Sequence, residues 1–185
     1  MNQPIWKRIG PTTKVSGQFR TILTKTFRLP DGSQQRFDTY DKEGVFHAGT
    51  IALTEDNKVI VARQFRPGPE MYMDEIPGGT GEGDEEPQQA ALRELEEETG
   101  YKPASIEYLG QARKDAYMNA TWHYFLALGC APTAAGQHLD ERERVEIRFI
   151  SIAELIENAK AGKLTDAAAV LMAYEKLKKL QKSHP

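Results

Sequence analysis

Three glutamates stand close together in the middle of the sequence, within a segment of strong helix formers. Glu94, Glu97 and Glu98 are spaced at i, i+3 and i+4, which places their carboxylates within an arc of about 100° on one helix face. At about 5 Å and an effective dielectric constant of about 20, each close pair repels by about 3 kcal/mol before screening. A hard divalent cation, Mg²⁺ or Mn²⁺, would offset this repulsion because it prefers oxygen ligands. The spacing is compatible with a metal site, and on spacing alone a solvent-exposed acidic helix is the alternative.

A glycine-rich loop, residues 77–83, comes directly before the acidic helix. Such a turn brings backbone groups beside the carboxylates, as a site that binds both metal and phosphate requires. Arg93, the one basic residue within the helix, is expected to neutralise only one neighbouring carboxylate. The loop therefore favours a metal and phosphate site over an exposed acidic helix.

The hydrophobic pattern predicts the strands and helices that would position this site. Pro87 and Gly100 fit the first position of the acidic helix and the residue just after its end. Ser151 begins a second helix that runs to Ala161, with Glu154 completing a capping box. The predicted strands lie at 19–29, 34–40, 44–53, 59–65, 73–76, 106–111, 122–128 and 145–150, and a last helix lies at 166–181. Strands, one helix, more strands and then helices indicate an α+β fold.

Composition excludes several classes of protein. The 185 residues carry 24 lysines and arginines against 27 aspartates and glutamates, a net charge of −3, which argues against a nucleic-acid partner. Cys130 is the single cysteine, so an internal disulfide and a cysteine-based zinc site are excluded. No apolar run approaches the roughly 20 residues of a membrane span, and residues 1–10 lack a secretory signal. We therefore expect no membrane partner and a cytoplasmic location.

Residues 79–101 resemble the Nudix box, G-x5-E-x7-R-E-U-x-E-E-x-G-U, in which U is an apolar residue. Every fixed position matches, and Tyr101 stands at the last U position, where aliphatic residues are more usual. The resemblance implies an α+β Nudix fold, an α/β/α sandwich with a mixed central sheet. It also implies hydrolysis of a diphosphate linked to another group, with water activated by a divalent metal, Mg²⁺ or Mn²⁺.

Individual roles follow from the resemblance. The implied metal ligands are the carboxylates of Glu94, Glu97 and Glu98 and the carbonyl oxygen of Gly78. Glu97 is alternatively the residue that activates water. Glu85 and Arg93 are implied to form a structural ion pair that holds the loop to the helix.

From about residue 19 to residue 177 the chain is similar to the ADP-ribose and nucleoside-diphosphate-sugar pyrophosphatases of this family. The lead-in to the box, residues 63–66 and 74–79, and the segment 162–166 carry part of this resemblance. The acidic loop 139–143 resembles the loop that supplies the catalytic base in that group. Glu141 is the matching position, and Glu143 is the second candidate.

The same resemblance implies a nucleotide-sugar substrate and a homodimer. Residues 1–45 would form an antiparallel strand extension that exchanges between subunits and completes the nucleotide pocket, ahead of a Nudix hydrolase domain at 46–185. Arg66 would contact the diphosphate, Glu75 a ribose hydroxyl, and Phe19 and Phe37 the base. The alternatives are an exposed arginine, a cross-strand ion pair and core aromatic residues.

Other substrates stay open at this point. A proline that ADP-ribose enzymes often carry downstream of the box is missing from residues 114–118, which leaves a broader range of nucleotide sugars. A nucleoside triphosphate or a dinucleoside polyphosphate is the alternative substrate for an enzyme. A Nudix-like module that senses nucleotides without hydrolysing them is the alternative outside the enzymes, although such modules commonly lose carboxylates of the box and this chain keeps them all.

Overall fold

A computed structural model describes residues 6–16, 21–139, 141 and 143–183. Within these ranges the chain forms eleven strands and three α-helices. In chain order they are β1 (Lys7–Ser16), β2 (Thr21–Arg28), β3 (Gln34–Tyr40), β4 (Phe46–Thr54), β5 (Val59–Arg66), β6 (Met71–Glu75), β7 (Gly78–Thr80), α1 (Pro87–Thr99), β8 (Tyr101–Lys102), β9 (Ser105–Ala112), β10 (Thr121–Pro132), β11 (Glu146–Ile150), α2 (Ile152–Lys160) and α3 (Ala167–Ser183). No helix in the described part is long and apolar enough to cross a membrane.

The chain divides into two compact units, Met1–Val45 with Arg113–Thr121, and Phe46–Ala112 with Trp122–Pro185. In the first unit β1, β2 and β3 form an antiparallel sheet in that order. Asn119 attaches the second segment of this unit to β3, because its side-chain amide donates to Thr39 Oγ1 at 3.1 Å and to the carbonyl of Asp41 at 2.9 Å.

The second unit is built on a larger sheet with the strand order β11-β5-β4-β10-β8. Ala62 of β5 pairs with Ile147 of β11 on one edge and with Glu75 of β6 on the other, so β6 lies on the side of β5 that faces β4. Gly78 of β7 then pairs with Gly49 of β4. The chain that leads into α1 is thereby inserted between two central strands, which brings Glu75 and Gly78 into the middle of the sheet.

Alternation along β4 and β5 gives the sheet two apolar faces. Ile51 and Val61 are fully buried in the cluster that includes α2 and α3. Ala52 and Ile60 point to the other face, where they pack in a cluster with Leu95 of α1. Helices therefore cover both faces of the sheet. This arrangement and the separate N-terminal sheet confirm the predicted α+β class, a sandwich with a mixed central sheet and an antiparallel extension.

The helix ends lie within two residues of their predicted positions. Pro87 opens α1, and Gly100 ends it in the left-handed conformation with φ 71°. Ser151 caps α2 by accepting a hydrogen bond from the Glu154 N–H at 3.0 Å. The strand β1 lies in the extension that the resemblance implies at residues 1–45, but the hydrophobic pattern does not predict it, because it is exposed along nearly its whole length and an irregularity between Ile9 and Thr13 interrupts its pairing.

Candidate active site

Glu98, near the end of α1, is a buried acid beside the glycine-rich loop. Its carboxylate accepts a hydrogen bond from the Gly78 N–H at 2.9 Å, and the residue is only 5% exposed. Burial raises the pKa of Glu98 to about 8, and the carboxylates of Glu94 and Glu143 add to the increase. The Gly78 N–H and the charge of Arg66 act in the opposite direction. Glu98 thus lies where negative charge is costly unless a cation is present.

Glu94, one turn earlier, lies against Gly79. A Cβ atom at position 79 would be 2.6 Å from Cδ of Glu94, so only glycine leaves room for this carboxylate. Burial raises the pKa of Glu94, Arg93 opposes the increase, and Glu97 and Glu143 strengthen it. The loop and the helix therefore fit together around the Glu94 carboxylate.

Arg93 connects the loop to three glutamates. Its Nε and Nη2 donate to the two oxygens of Glu85 at 2.9 and 3.2 Å, and its Nη1 lies 2.9 Å from both Glu94 and Glu97. Nη2 also donates to the carbonyl of Thr80 at 3.0 Å. Arg93 thus contacts three carboxylates, because the loop folds back and brings Glu85 to the guanidinium, but its single positive charge can offset only one of their negative charges. The hydrogen bonds from Arg93 also hold the pKa of Glu85 below its usual value.

The acidic loop adds a further carboxylate, that of Glu143. Glu143 is half-buried, and its charge raises the pKa of both Glu94 and Glu98. Glu141 is exposed, and its backbone carbonyl accepts a hydrogen bond from Arg144 at 2.9 Å. Of the two candidates for the base, Glu143 is therefore the one whose charge acts on the carboxylates of the helix.

Arg66 and Glu75 form an ion pair between β5 and β6. Nε of Arg66 donates to one oxygen of Glu75, and Thr165 Oγ1 donates to the other. Glu75 is 1% exposed, whereas the Arg66 side chain is 41% exposed. The ion pair named as the alternative for Glu75 is thus present. Contact of Glu75 with a ribose hydroxyl stays a prediction.

Phe37, one of the two aromatic residues predicted to stack on the base, belongs to the first unit. Phe19 lies outside the described residues. Phe37 of β3 contacts the rings of Trp6 and Phe27, with centroids 6.0 Å away in both cases. Trp6 is 48% exposed and lies beside Phe37, so it is a further aromatic candidate that its position near the start of the chain did not suggest.

The charges and oxygen donors around Glu98 fit a hard divalent cation. Among the described residues, no three acidic, histidine or cysteine side chains are already arranged to hold a metal ion, and Arg93 contacts Glu94 and Glu97. Burial raises the pKa of Glu94 and Glu98, and neighbouring carboxylates add to the increase, so a cation bound beside them would stabilise their ionised forms. Carboxylates of this kind are the ligands that Mg²⁺ and Mn²⁺ prefer.

Comparison with known proteins assigns the family. The NUDIX domain pattern matches residues 45–173, which is more than half of the chain. The chain belongs to the Nudix family. The box of this Nudix protein is the segment that carries Gly79, Glu85, Arg93, Glu94 and Glu98 in the geometry described above.

Two curated relatives cover most of the chain. One is a methanol dehydrogenase activator from Bacillus methanolicus, 32% identical over 160 residues, or 84% of each chain. Another is an ADP-ribose pyrophosphatase from Bacillus subtilis (strain 168), 30% identical over 177 residues, or 93% of each chain. A solved structure of an ADP compounds hydrolase superposes with a TM-score of 0.77, covering 100% of this chain and 98% of the other, at 18% identity. At that identity the similarity shows the fold.

Proposed function

We propose that this Nudix protein hydrolyses the diphosphate linkage of nucleoside diphosphate sugars, ADP-ribose and related compounds, to a nucleoside monophosphate and a sugar phosphate. The observation that carries the proposal is the position of the buried Glu98, whose carboxylate accepts a hydrogen bond from the Gly78 N–H. The charges of Glu94 and Glu143 raise the pKa of Glu98, and the charge of Arg66 lowers it. The relative from Bacillus subtilis, whose name states this activity, supports the choice of substrate because it covers 93% of the chain.

The metal is proposed to be Mg²⁺ or Mn²⁺, held by the carboxylates of Glu94, Glu97 and Glu98 and by the Gly78 carbonyl. When bound, such an ion neutralises phosphate charge and lowers the pKa of a bound water. The Gly78 N–H keeps the Glu98 carboxylate oriented, and Gly79 leaves the space that Glu94 occupies. Glu97 is the most exposed of the three glutamates, with 43% of its side chain exposed, which suits either a ligand or a residue that activates water.

Arg66 is proposed to bind the diphosphate. Its Nε is engaged with Glu75, and its two terminal nitrogens form a fork that matches phosphate oxygens. Glu143 is proposed as the general base, with Glu141 as the second candidate. The water oxygen bonds to one phosphorus, the bond from that phosphorus to the bridging oxygen breaks, and the proton of the water passes to the carboxylate.

The N-terminal residues 1–45 are proposed to form the homodimer and to contribute to the nucleotide pocket. Apolar side chains exposed on the described N-terminal strands support a contact surface, since Val15 is 65% and Ile22 is 37% exposed. Light scattering after size-exclusion chromatography measures the oligomeric state, and a monomer at micromolar concentration would overturn the dimer.

Product analysis tests the proposed function. The protein is incubated with Mg²⁺ and, separately, with ADP-ribose, GDP-mannose, UDP-glucose, a nucleoside triphosphate and a diadenosine polyphosphate, and the products are separated by ion exchange. We expect AMP and ribose 5-phosphate from ADP-ribose, or the corresponding pair from another sugar. Release of pyrophosphate from the triphosphate faster than cleavage of any nucleotide sugar, or cleavage of the diadenosine polyphosphate alone, would overturn the assignment of a nucleotide-sugar substrate. Tight ADP-ribose binding without turnover would indicate a sensor.

A further inference from the structure

Three polar side chains connect to Glu75 of the Arg66–Glu75 ion pair through hydrogen bonds. They are Thr165 and Asp166, in the segment between α2 and α3, and Tyr124 of β10. Thr165 donates to Glu75, and Thr165 Oγ1 also lies 3.0 Å from Oδ2 of Asp166. The hydroxyl of Tyr124 donates to Oδ1 of Asp166 at 2.9 Å. Tyr124, Asp166 and Glu75 are buried, at 0%, 4% and 1% exposure. These side chains form a continuous set of hydrogen bonds that ends at the half-exposed Arg66.

The hydroxyl proton of Thr165 determines which carboxylate receives the hydrogen bond from this residue. Thr165 has one hydroxyl proton, so it donates either to Glu75 or to Asp166 at a given moment. Of these two acceptors Glu75 lies closer to the Thr165 hydroxyl, so Thr165 is assigned as the donor to Glu75. The two oxygens of Glu75 are then fixed by donors on opposite sides, the Thr165 hydroxyl and Nε of Arg66.

Arg66 depends on this support for its orientation. Among the described residues, Glu75 is the one that accepts a hydrogen bond from the Arg66 guanidinium, and it does so from Nε, which leaves the two terminal nitrogens for a ligand. A carboxylate fixed at both oxygens holds a guanidinium in one orientation better than a carboxylate free to rotate, and a preorganised donor binds phosphate with less loss of side-chain entropy.

We propose that Thr165, supported by Asp166 and Tyr124, is a positioning residue that holds Glu75 and, through it, the Arg66 guanidinium in the orientation that binds the substrate diphosphate. This inference rests on the proposed function and extends the substrate site to the segment before α3. A role limited to anchoring α3 is the alternative, because Thr165 lies two residues before that helix.

Steady-state kinetics with ADP-ribose and Mg²⁺ separate the two roles. We expect Thr165→Val to raise KM about tenfold, a usual effect of losing one hydrogen bond to a charged group, with kcat changed less than about threefold. Thr165→Ser retains the hydroxyl and should restore the wild-type KM. Thr54→Val is the matched control, because Thr54 Oγ1 also donates to a carboxylate, that of Asp56 at 2.6 Å, in the turn between β4 and β5.

A double-mutant cycle with Arg66→Ala completes the test. If Thr165 acts through Arg66, Thr165→Val should change KM by less than about twofold in the Arg66→Ala background. An equal increase in both backgrounds, a wild-type KM for Thr165→Val, or no rescue by serine would overturn the proposal.

Tyr124→Phe gives a second route if Thr165→Val does not fold. Without the tyrosine hydroxyl, Asp166 loses one hydrogen-bond donor and competes more strongly for the Thr165 proton, so KM should rise in the same direction but by a smaller factor. An unchanged KM in this variant would contradict the direction of the hydrogen bonds. If the wild-type protein neither hydrolyses nor binds any nucleotide sugar, the proposed function itself is overturned, and this inference with it.

Discussion

Replacing Glu98 by glutamine is expected to stabilise the metal-free protein at alkaline pH. Burial, together with the Glu94 and Glu143 carboxylates, raises the pKa of Glu98 to about 8 from its ordinary value of 4.5. Between these two values the unfolded chain binds fewer protons than the folded chain. The free energy of unfolding therefore falls as the pH rises from about 4.5 to about 8, and it levels off above that range.

The size of the effect follows from the same two values. The pKa of Glu98 in the folded protein lies about 3.5 pH units above its ordinary value, and each pH unit corresponds to about 1.36 kcal/mol. The free energy of unfolding should therefore fall by an amount on the order of 5 kcal/mol. Glutamine is neutral throughout and keeps an oxygen that can accept the Gly78 N–H. The difference in unfolding free energy between Glu98→Gln and the wild type should therefore grow by several kcal/mol over this pH range.

Urea unfolding with EDTA at about pH 5 and about pH 8.5 measures this difference. Added Mg²⁺ should stabilise the wild type at the higher pH, because it binds the ionised carboxylates, and should leave Glu98→Gln almost unchanged. Glu96→Gln is the matched control on the same helix, since Glu96 pairs with Lys102 at 3.0 Å and lies outside the carboxylate group. A pH-independent difference between Glu98→Gln and the wild type, or equal stabilisation of both by Mg²⁺, would refute the reasoning.

Two further pairs of variants test the loop and the base. Gly79→Ala should push the Glu94 carboxylate aside and weaken Mg²⁺-dependent hydrolysis with little loss of stability. The Cβ atom of Gly78→Ala would meet the backbone of β4, so this variant should lower the unfolding free energy by about 1–3 kcal/mol. Equal melting temperatures for the two variants would contradict this difference. Glu143→Gln should lower kcat by about 10²- to 10⁴-fold while Glu141→Gln stays within about threefold of the wild type, and the reverse order in a kcat measurement would make Glu141 the base.

The local features of the site could be predicted from the sequence. The spacing of Glu94, Glu97 and Glu98, the proline that opens α1 and the glycine that ends it all act within one helix and its flanking residues. The continuous apolar runs of β4 and β5 likewise depend only on neighbouring residues, so these two strands could be predicted from the pattern.

Contacts between distant segments could not be predicted from helix or strand periodicity. The Glu85–Arg93 ion pair was implied only by the resemblance to the Nudix box, because it forms where the loop folds back on the helix and helix periodicity contains no information about that loop. The effect of Glu143 on Glu98 depends on how the acidic loop crosses the end of α1, 45 positions away along the chain. The attachment of Asn119 to β3 joins residues 80 positions apart.

The most direct test of the central claim is Mg²⁺-dependent release of AMP from ADP-ribose by the wild type, Glu98→Gln and Glu96→Gln in parallel. We expect the wild type and Glu96→Gln to release AMP and ribose 5-phosphate at similar rates, with one molecule of each product from every ADP-ribose cleaved. EDTA should stop the reaction, and Glu98→Gln should be folded but at least about 10²-fold slower than the wild type. Wild-type rates in a folded Glu98→Gln variant, or undiminished hydrolysis in EDTA, would contradict the assignment of Glu98 to a metal-dependent pyrophosphatase site.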